Sequence, residues 1–474
     1  MKRAFSRKNL WENMPLSIRS GLGFLLRPAP PGLVLGKRFR TCLRFARETE
    51  KWSADRARAY QLRELRRVCS LAYEASDYYR RTLGKVGFEP GDLNSTDVLT
   101  ALPLIDKQTV GEHLREMCVV PPYGQGVDCI STGGSSGRPL KFYIGSERSA
   151  VEYAYLVAGW ERAGYRTQIP QAVLRGEVVK PDRTGLRHHY DAILRRHYYS
   201  NFHMTDENMR RYLEHMAGIG PCYLHVYPSS IYTLACFMKR AGTKMPENIR
   251  GLLVGSEIVY PQQREVVSDV FPVPYFSWYG HSEKLVLAAE CEHSPHYHVW
   301  PTYGYFELLD EEDRPVTTPG QRGEIVGTGF INRVVPFIRY RTGDYATYGG
   351  DKCDACGREQ TIITDVRGHR TQEHLVAEDG SLIGWTALNM HDDTFDRVRQ
   401  FQFVQIEPGR ATLNVVPAEG FGQRDMEAIR RNLGRKLDER LAFDIELCES
   451  IRLTPGGKSI YVDQRIEMLD ACRG

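Results

Sequence analysis

The chain has 474 residues, of which 42% are hydrophobic and 26% charged, with 63 lysines and arginines against 59 acidic residues and a net charge of +4. That length exceeds one ordinary core, so two or more domains are expected, and the composition is that of a soluble globular protein. So small a charge gives no case for nucleic acid as a partner, while leaving room for local anion-binding patches.

In chain order, the N-terminus is basic, from Lys2-Arg3 to Arg7-Lys8, but its apolar run 22–26 is far shorter than a membrane span and is broken by Arg27 and prolines. No cleavable pattern follows. The expectation is a soluble, cytoplasmic protein without a transmembrane segment, its first ~40 residues docked on the main body. Eleven cysteines, scattered and odd in number, do not form a disulfide framework. Residues 50–85 have helical spacing, with Tyr60, Leu62, Leu65, Val68, Cys69 and Ala72 on one face against many arginines.

Residues 131–139 read Ser-Thr-Gly-Gly-Ser-Ser-Gly-Arg-Pro. Such a loop offers close backbone approach, free N–H groups and hydroxyls, which suit polyphosphate oxygens. Val127, Cys129 and Ile130 before it, and Leu140, Phe142, Tyr143 and Ile144 after it, predict flanking strands. A glycine-rich surface turn is the other reading, and the loop alone does not choose between them. Beyond it, short apolar runs at 171–174, 223–226, 251–254 and 275–279 alternate with helical stretches at 207–217, 230–241 and 262–270. This alternation predicts α/β layers with substantial parallel sheet. Ligands in such sheets sit beyond the carboxyl ends of strands, and 131–139 is expected to be one such loop. Residues 304–348 read as strands and turns, with strands at 305–309, 323–328 and 336–341. After a boundary near 367–371 comes a small α+β tail, with strands around Leu375, at 401–406 and at 411–416, and a helix at 426–441.

Three further segments stand out. Tyr279-Gly280-His281-Ser282-Glu283 follows an apolar run, Tyr340-Arg341-Thr342-Gly343-Asp344 follows the strand-like run 334–338, and Thr454-Pro455-Gly456-Gly457-Lys458 lies near the end. With the glycine loop, and in this order, they resemble the phosphate loop, the aromatic-Gly-x-Ser/Thr-Glu segment, the Thr-Gly-Asp segment and the C-terminal lysine of the acyl-adenylate-forming (AMP-binding) superfamily. The Ser-Thr-Gly-Gly opening, the early Leu102-Pro103-Leu104-Ile105-Asp106-Lys107 and a cysteine cluster look like its phenylacetate–CoA ligase-like family. Residues 159–176, with Leu174-Arg175-Gly176, look closer to members associated with capsular polysaccharide genes.

The resemblance implies a large α/β domain of layered sheets and helices plus a small mobile α+β domain: 1–90 as a helical part of the large domain, 91–366 as the adenylate-forming body, and 371–474 as a lid hinged near 367–370. It implies ATP-dependent activation of a carboxylic acid with Mg²⁺, then acyl transfer, with CoA as the expected acceptor and a sugar, amine or carrier protein as the alternative. A non-catalytic nucleotide-binding scaffold is a second alternative, and a homodimer is an open possibility. By the same resemblance Ser131, Thr132, Gly133, Gly134, Ser135, Ser136, Gly137 and Arg138 wrap the β- and γ-phosphates. Tyr279 and Gly280 lie at adenine, Ser256 and Glu257 run along the purine, Ser282 touches the α-phosphate and Glu283 holds Mg²⁺. Asp344 accepts the ribose hydroxyls, and Lys458 stabilises charge on the reacting oxygens. Relatives carry Gly-Arg at the hinge. Here the pair is Gly368-His369, so Arg367 or Arg370 substitutes or the ribose contact is lost. Trp160, Tyr223, His225, Tyr227, Pro228 and Trp278 fall in the specificity segment and favour an aromatic or medium-sized acid, unless they are core.

One cysteine subset reads as a metal site. Cys353 and Cys356 have a zinc knuckle's spacing with Gly357 after them, and Cys291 and His298 stand on the other arm, with His293 and His296 competing. Relatives favour zinc in such sites, and separation from the phosphate loop favours a structural role. A free Cys-x-x-Cys with solvated histidines is the alternative.

Overall fold

The computed structural model describes residues 35–131, 140–368, 374–380, 382–384, 388, 390, 394–395, 397–437, 440–452 and 461–466. Helices α1 (Gly36–Thr49), α2 (Ala54–Ala75), α3 (Asp77–Lys85) and α4 (Lys107–Met117) come first. The predicted helical stretch 50–85 is divided at Ser76, whose hydroxyl accepts from the N–H of Tyr79 and donates to the carbonyl of Glu116 at 2.7 Å. Such a cap contributes about 1 kcal/mol and starts a new helix rather than continuing the old one. The face expected from spacing is the buried one: Leu65, Val68, Cys69 and Ala72 enter the core, with Tyr60 and Leu62 packed at its edge.

The main sheet has 12 strands in the order β11-β12-β13-β14-β10-β9-β8-β7-β6-β3-β5-β4. Its parallel block is β3 (Gln171–Leu174), β5 (Arg196–Tyr199), β6 (Cys222–Val226), β7 (Ile249–Gly255) and β8 (Tyr275–Gly280). The antiparallel remainder comprises β4 (His188–Asp191), β9 (Leu287–Glu290), β10 (Tyr297–Val299), β11 (Gly304–Leu309), β12 (Arg322–Gly329), β13 (Tyr340–Gly350) and β14 (Ile362–Arg367). Strands β6 and β7 are covered by helices on both faces and are buried apart from Arg250, which is why, His225 excepted, they read as largely apolar runs. Cys222, Leu224 and Val226 pack with α6 (Asp206–Ala217), α7 (Pro228–Ala241) and α8 (Pro261–Val270). Tyr223, Leu253 and Phe276 face the opposite way, onto α1 and α5 (Arg148–Trp160).

The flanks of the glycine loop are strands, β1 (Val127–Ser131) and β2 (Lys141–Gly145), but they pair antiparallel in a sheet of their own, with Ser131 opposite Lys141. The loop therefore joins a hairpin and does not leave a parallel strand of the main sheet, contrary to expectation. Phe142 packs edge-on against Phe337, and Asn332 donates to the carbonyl of Tyr143 at 2.9 Å, fixing that hairpin on the main body.

A second correction concerns 334–338. These residues form buried, non-strand backbone, and the strand begins only at Tyr340. Arg339 explains the interruption. It has φ 50°, and its guanidinium grips Glu307 and donates to the carbonyls of Thr100 (2.9 Å) and Leu102 (2.6 Å). The Leu102–Lys107 segment then joins β13 through Ile105, which donates to Arg339 O and accepts from Arg341 N.

From residue 374 the described chain forms β15 (His374–Val376), β16 (Leu382–Gly384), β17 (Val398–Glu407), β18 (Arg410–Pro417), α9 (Gln423–Leu437), β19 (Ala442–Leu447) and β20 (Val462–Gln464). The four-strand sheet β19-β18-β17-β20 and α9 share a core containing Phe403, Leu413, Ile429 and Leu433. The helix expected to reach 441 is described to Leu437, and by Arg440 and Leu441 the described chain is no longer α-helical, with β19 beginning at Ala442.

Candidate active site

Strand β8 delivers the aromatic-Gly segment and β13 the Thr-Gly-Asp segment. In the ladder Val326 pairs with Arg341 and Glu324 with Tyr345, so residues 342–344 stand opposite Ile325 alone. This is a bulge, a device that re-aims a side chain. Gly343 supplies its φ of +74° and donates to Glu324, while the Thr342 hydroxyl donates to the Ile325 carbonyl at 2.7 Å. Asp344 leaves the regular pleat as a result, and its Oδ2 accepts from the Tyr279 hydroxyl at 2.9 Å. Burial, then the adjacent carboxylate, raises the Tyr279 phenol well above its ordinary value, so it remains a donor.

Glu283 is the second half-buried carboxylate. It accepts from the Tyr340 hydroxyl at 3.1 Å and meets His281 Nδ1 at 3.0 Å. The backbone N–H of Val286 donates to His281 Nε2 at 3.2 Å. The proton of His281 is thereby assigned to Nδ1, facing Glu283. Burial pushes the Glu283 carboxyl up, but the His281 and Tyr340 bonds outweigh it and hold it below the usual carboxylate range. A half-buried carboxylate kept charged suits a hard cation such as Mg²⁺. Ser282 lies in the same turn, which Lys284 (φ 62°) closes by pairing with Glu152 at 2.6 Å.

After β7, Ser256 adopts φ 71°, a strained conformation for a residue with a side chain. Gly255 has no alternative, since a Cβ there would lie 2.5 Å from the Trp278 ring. Glu257 accepts from the backbone N–H of Ser229 at the start of α7, at 3.0 Å. Arg367 ends β14 opposite Tyr345, one residue from Asp344, and its guanidinium binds Asp365 at 2.8 Å. Thr132, Gly133, Gly134, Ser135, Ser136, Gly137, Arg138, His369 and Lys458 lie outside the described residues.

Of the aromatic set, Trp160, His225 and Trp278 meet edge-on or tilted at 5.0–5.6 Å. Arg175 joins them: it bonds His225 and Ser256 and lies over the rings of Tyr227 (5.0 Å) and Trp278 (5.3 Å). Its contact with Ser256, a predicted purine-site residue, was invisible to sequence reasoning because β3 and β7 become near neighbours only through the sheet order.

The cysteine reading gains a geometry. Donor atoms of Cys291, His298, Cys353 and Cys356 all lie within 4.8 Å of one another. They come from the β9–β10 arm and from the knuckle between β13 and β14. Gly357 (φ 75°) donates to the Cys353 carbonyl at 2.7 Å, forming the knuckle turn. His298 Nδ1 is buried without a hydrogen-bond partner among the described residues, and burial lowers that imidazole to about 3, keeping it neutral. Three sulfurs and a neutral imidazole fit a tetrahedral zinc ion. His296 approaches Cys353 at 3.1 Å, outside the four-donor group.

No protein-family model matches the chain. It is 26% identical over 301 residues to a phenylacetate–coenzyme A ligase of Pseudomonas putida, covering 62% of this chain and 67% of that one. It is 20% identical over 400 residues to Protein CapK of Staphylococcus aureus, covering 83% and 86%. Among solved structures, 2-hydroxyisobutyryl-CoA ligase in complex with 2-HIB-AMP and CoA matches 88% of this chain and 91% of its own, with TM-score 0.56 and 19% identity, a likeness of fold.

Proposed function

We propose that this chain, a phenylacetate–coenzyme A ligase-like member of the acyl-adenylate-forming superfamily by sequence and fold, activates a carboxylic acid as its acyl-adenylate and then transfers the acyl group to CoA. The observation that carries this reading is the meeting of two segments some sixty residues apart, through Tyr279–Asp344 and Glu283–Tyr340. In the first step a substrate carboxylate oxygen bonds to the α-phosphorus of ATP and the bond to the β-phosphate oxygen breaks, releasing pyrophosphate. In the second, the thiol sulfur bonds to the acyl carbon, the bond from that carbon to the phosphate oxygen breaks to release AMP, and the thiol proton passes to solvent. Residues 131–138 are proposed to cradle the β- and γ-phosphates, Tyr279 and Gly280 to flank adenine, Ser256 and Glu257 to line the purine, and Ser282 to meet the α-phosphate. Asp344 accepts from the ribose hydroxyls, with Arg367 in the place left by His369. Glu283 would hold Mg²⁺, which neutralises phosphoryl charge when bound. Residues 371–474 are proposed to act as a lid about the 367–370 hinge, with Lys458 stabilising the negative charge on the oxygens of the five-coordinate α-phosphorus.

Cys291, His298, Cys353 and Cys356 are proposed to hold a structural zinc. Trp160, His225, Trp278 and Arg175 are proposed to favour an aromatic or medium-sized acid. The match to CapK spans more of the chain than the ligase match, and this favours a capsular-polysaccharide-associated branch in which a sugar, amine or carrier replaces CoA.

Acid-dependent exchange of labelled pyrophosphate into ATP tests adenylation, and product analysis with each acceptor supplied separately tests transfer. Exchange should occur and fall about 100-fold or more in a folded Lys458→Ala protein, on the scale of lost transition-state charge stabilisation. ATP binding without exchange on any acid would instead mark a non-catalytic scaffold.

A further inference from the structure

A second group of converging donors lies at the far edge of the sheet, well removed from the cysteine cluster in strand order. Strands β4 and β5 form an antiparallel hairpin with Tyr190 opposite His197 and His188 opposite Tyr199. Because side chains alternate along a strand, His188, Tyr190, His197 and Tyr199 share one face. His189 and Tyr198 occupy the other, stacked at 4.7 Å. The last turn of α6 carries His215 onto the first face, where its ring lies 4.2 Å from that of His188.

We propose that His188, His197 and His215 form a divalent transition-metal site, of a kind zinc would occupy, that ties the edge hairpin to α6. One nitrogen from each lies within 4.8 Å of the others. His188 Nε2 and His197 Nδ1 face each other at 3.0 Å, sharing a single proton as a hydrogen bond. Replacing that proton by a metal requires a separation of about 3.3 Å, the edge of a tetrahedron with metal–nitrogen bonds of about 2.0–2.1 Å. His215 Nδ1 meets the Tyr199 hydroxyl at 2.7 Å, so Nε2 is the nitrogen proposed to meet the ion. A partner on the second ring nitrogen is the usual means of fixing a ligating histidine. All three side chains remain partly exposed, so an ion can enter and a water can complete the coordination. The structural benefit is also local, since β4 is the last strand of the sheet and an edge of this kind needs tethering or cover.

The test uses the full-length chain without a histidine tag and isothermal titration with Zn²⁺, after the cysteine cluster has been loaded with one equivalent. A further equivalent should bind. His188→Ala, His197→Ala and His215→Ala should each weaken it at least tenfold, and Tyr199→Phe about tenfold, the range for loss of an outer partner. His189→Ala and the Cys353→Ser/Cys356→Ser double variant should retain it. His197→Gln keeps a polar side chain of similar size and provides the folded comparison, judged by circular dichroism. Electron paramagnetic resonance of bound Cu²⁺ should show nitrogen ligation that is lost in the same variants. Absence of a second equivalent in the wild-type chain, or uptake unchanged in folded His197→Gln, overturns the proposal.

Discussion

The bulge at 342–344 makes Asp344 the most informative residue to perturb. Its carboxylate accepts from a neutral donor, the Tyr279 hydroxyl at 2.9 Å, and is proposed to accept from the ribose. A hydrogen bond to a charged group contributes about 1.5–3 kcal/mol. Asp344→Asn keeps the shape and removes the charge, so the KM for ATP in pyrophosphate exchange should rise about 10- to 140-fold at 1.4 kcal/mol per tenfold. Tyr279→Phe leaves the charge and removes only the orienting bond, worth about 0.5–1.5 kcal/mol, so its effect should be about tenfold or less. The two side chains are in direct contact, and the double variant should therefore be less impaired than the product of the two single effects. Measurement of all four proteins under saturating acid gives the coupling directly. A folded Asp344→Asn protein with unchanged KM for ATP would refute the ribose role, and strictly multiplicative effects would refute the positioning of Asp344 by Tyr279.

Arg339→Met should destabilise the protein by about 3–5 kcal/mol, the cost of stranding one member of a buried pair, read from the denaturant midpoint; it leaves Glu307 buried among groups that no longer neutralise it. Cys353→Ser/Cys356→Ser should abolish one equivalent of bound zinc in elemental analysis and lower the melting temperature more than it lowers exchange activity in the surviving folded protein. In magnesium-free buffer, Glu283 should contribute stability that is present above the ordinary carboxylate pKa and lost as the pH falls through its lowered folded value. The melting-temperature gap between wild type and Glu283→Gln should accordingly narrow from neutral pH toward about pH 3, and a gap that widens on acidification would contradict the assignment.

Strands β3, β6, β7 and β8 of the parallel block were legible because strands covered on both faces are largely apolar, as β6 and β7 are apart from His225 and Arg250, and the amphipathic helices between them carry their own period. What misled was apolarity without a ladder. Residues 334–338 are as buried as any strand, yet their backbone is diverted around Arg339, whose partners Glu307, Thr100 and Leu102 are all distant in sequence. The β4–β5 hairpin failed in the opposite way. Its histidines, tyrosines and arginine gave no hydrophobic pattern, because it gains its place from edge pairing and from α6 rather than from a continuous apolar stripe.

The same distinction separates the legible part of the site from the rest. Thr342-Gly343-Asp344 could be recognised because a local backbone requirement, a positive φ inside a strand, forces a glycine beside the functional carboxylate. Cys353 and Cys356 could be paired because a knuckle turn fixes their spacing, and the same turn demands Gly357. Arg175 and the three edge histidines have no such constraint: each gains its partners when strands that are remote in sequence become neighbours. A residue whose role is set by its own turn leaves a motif, whereas one whose role is set by sheet order leaves only a residue type. For Arg175 that type still carries information, because a guanidinium half-buried against His225, Tyr227 and Trp278 is costly, and desolvation lowers it accordingly. An anionic group seated beside it would offset that cost, which is why Arg175 is the side chain of this cluster best suited to meet the carboxylate of the proposed substrate.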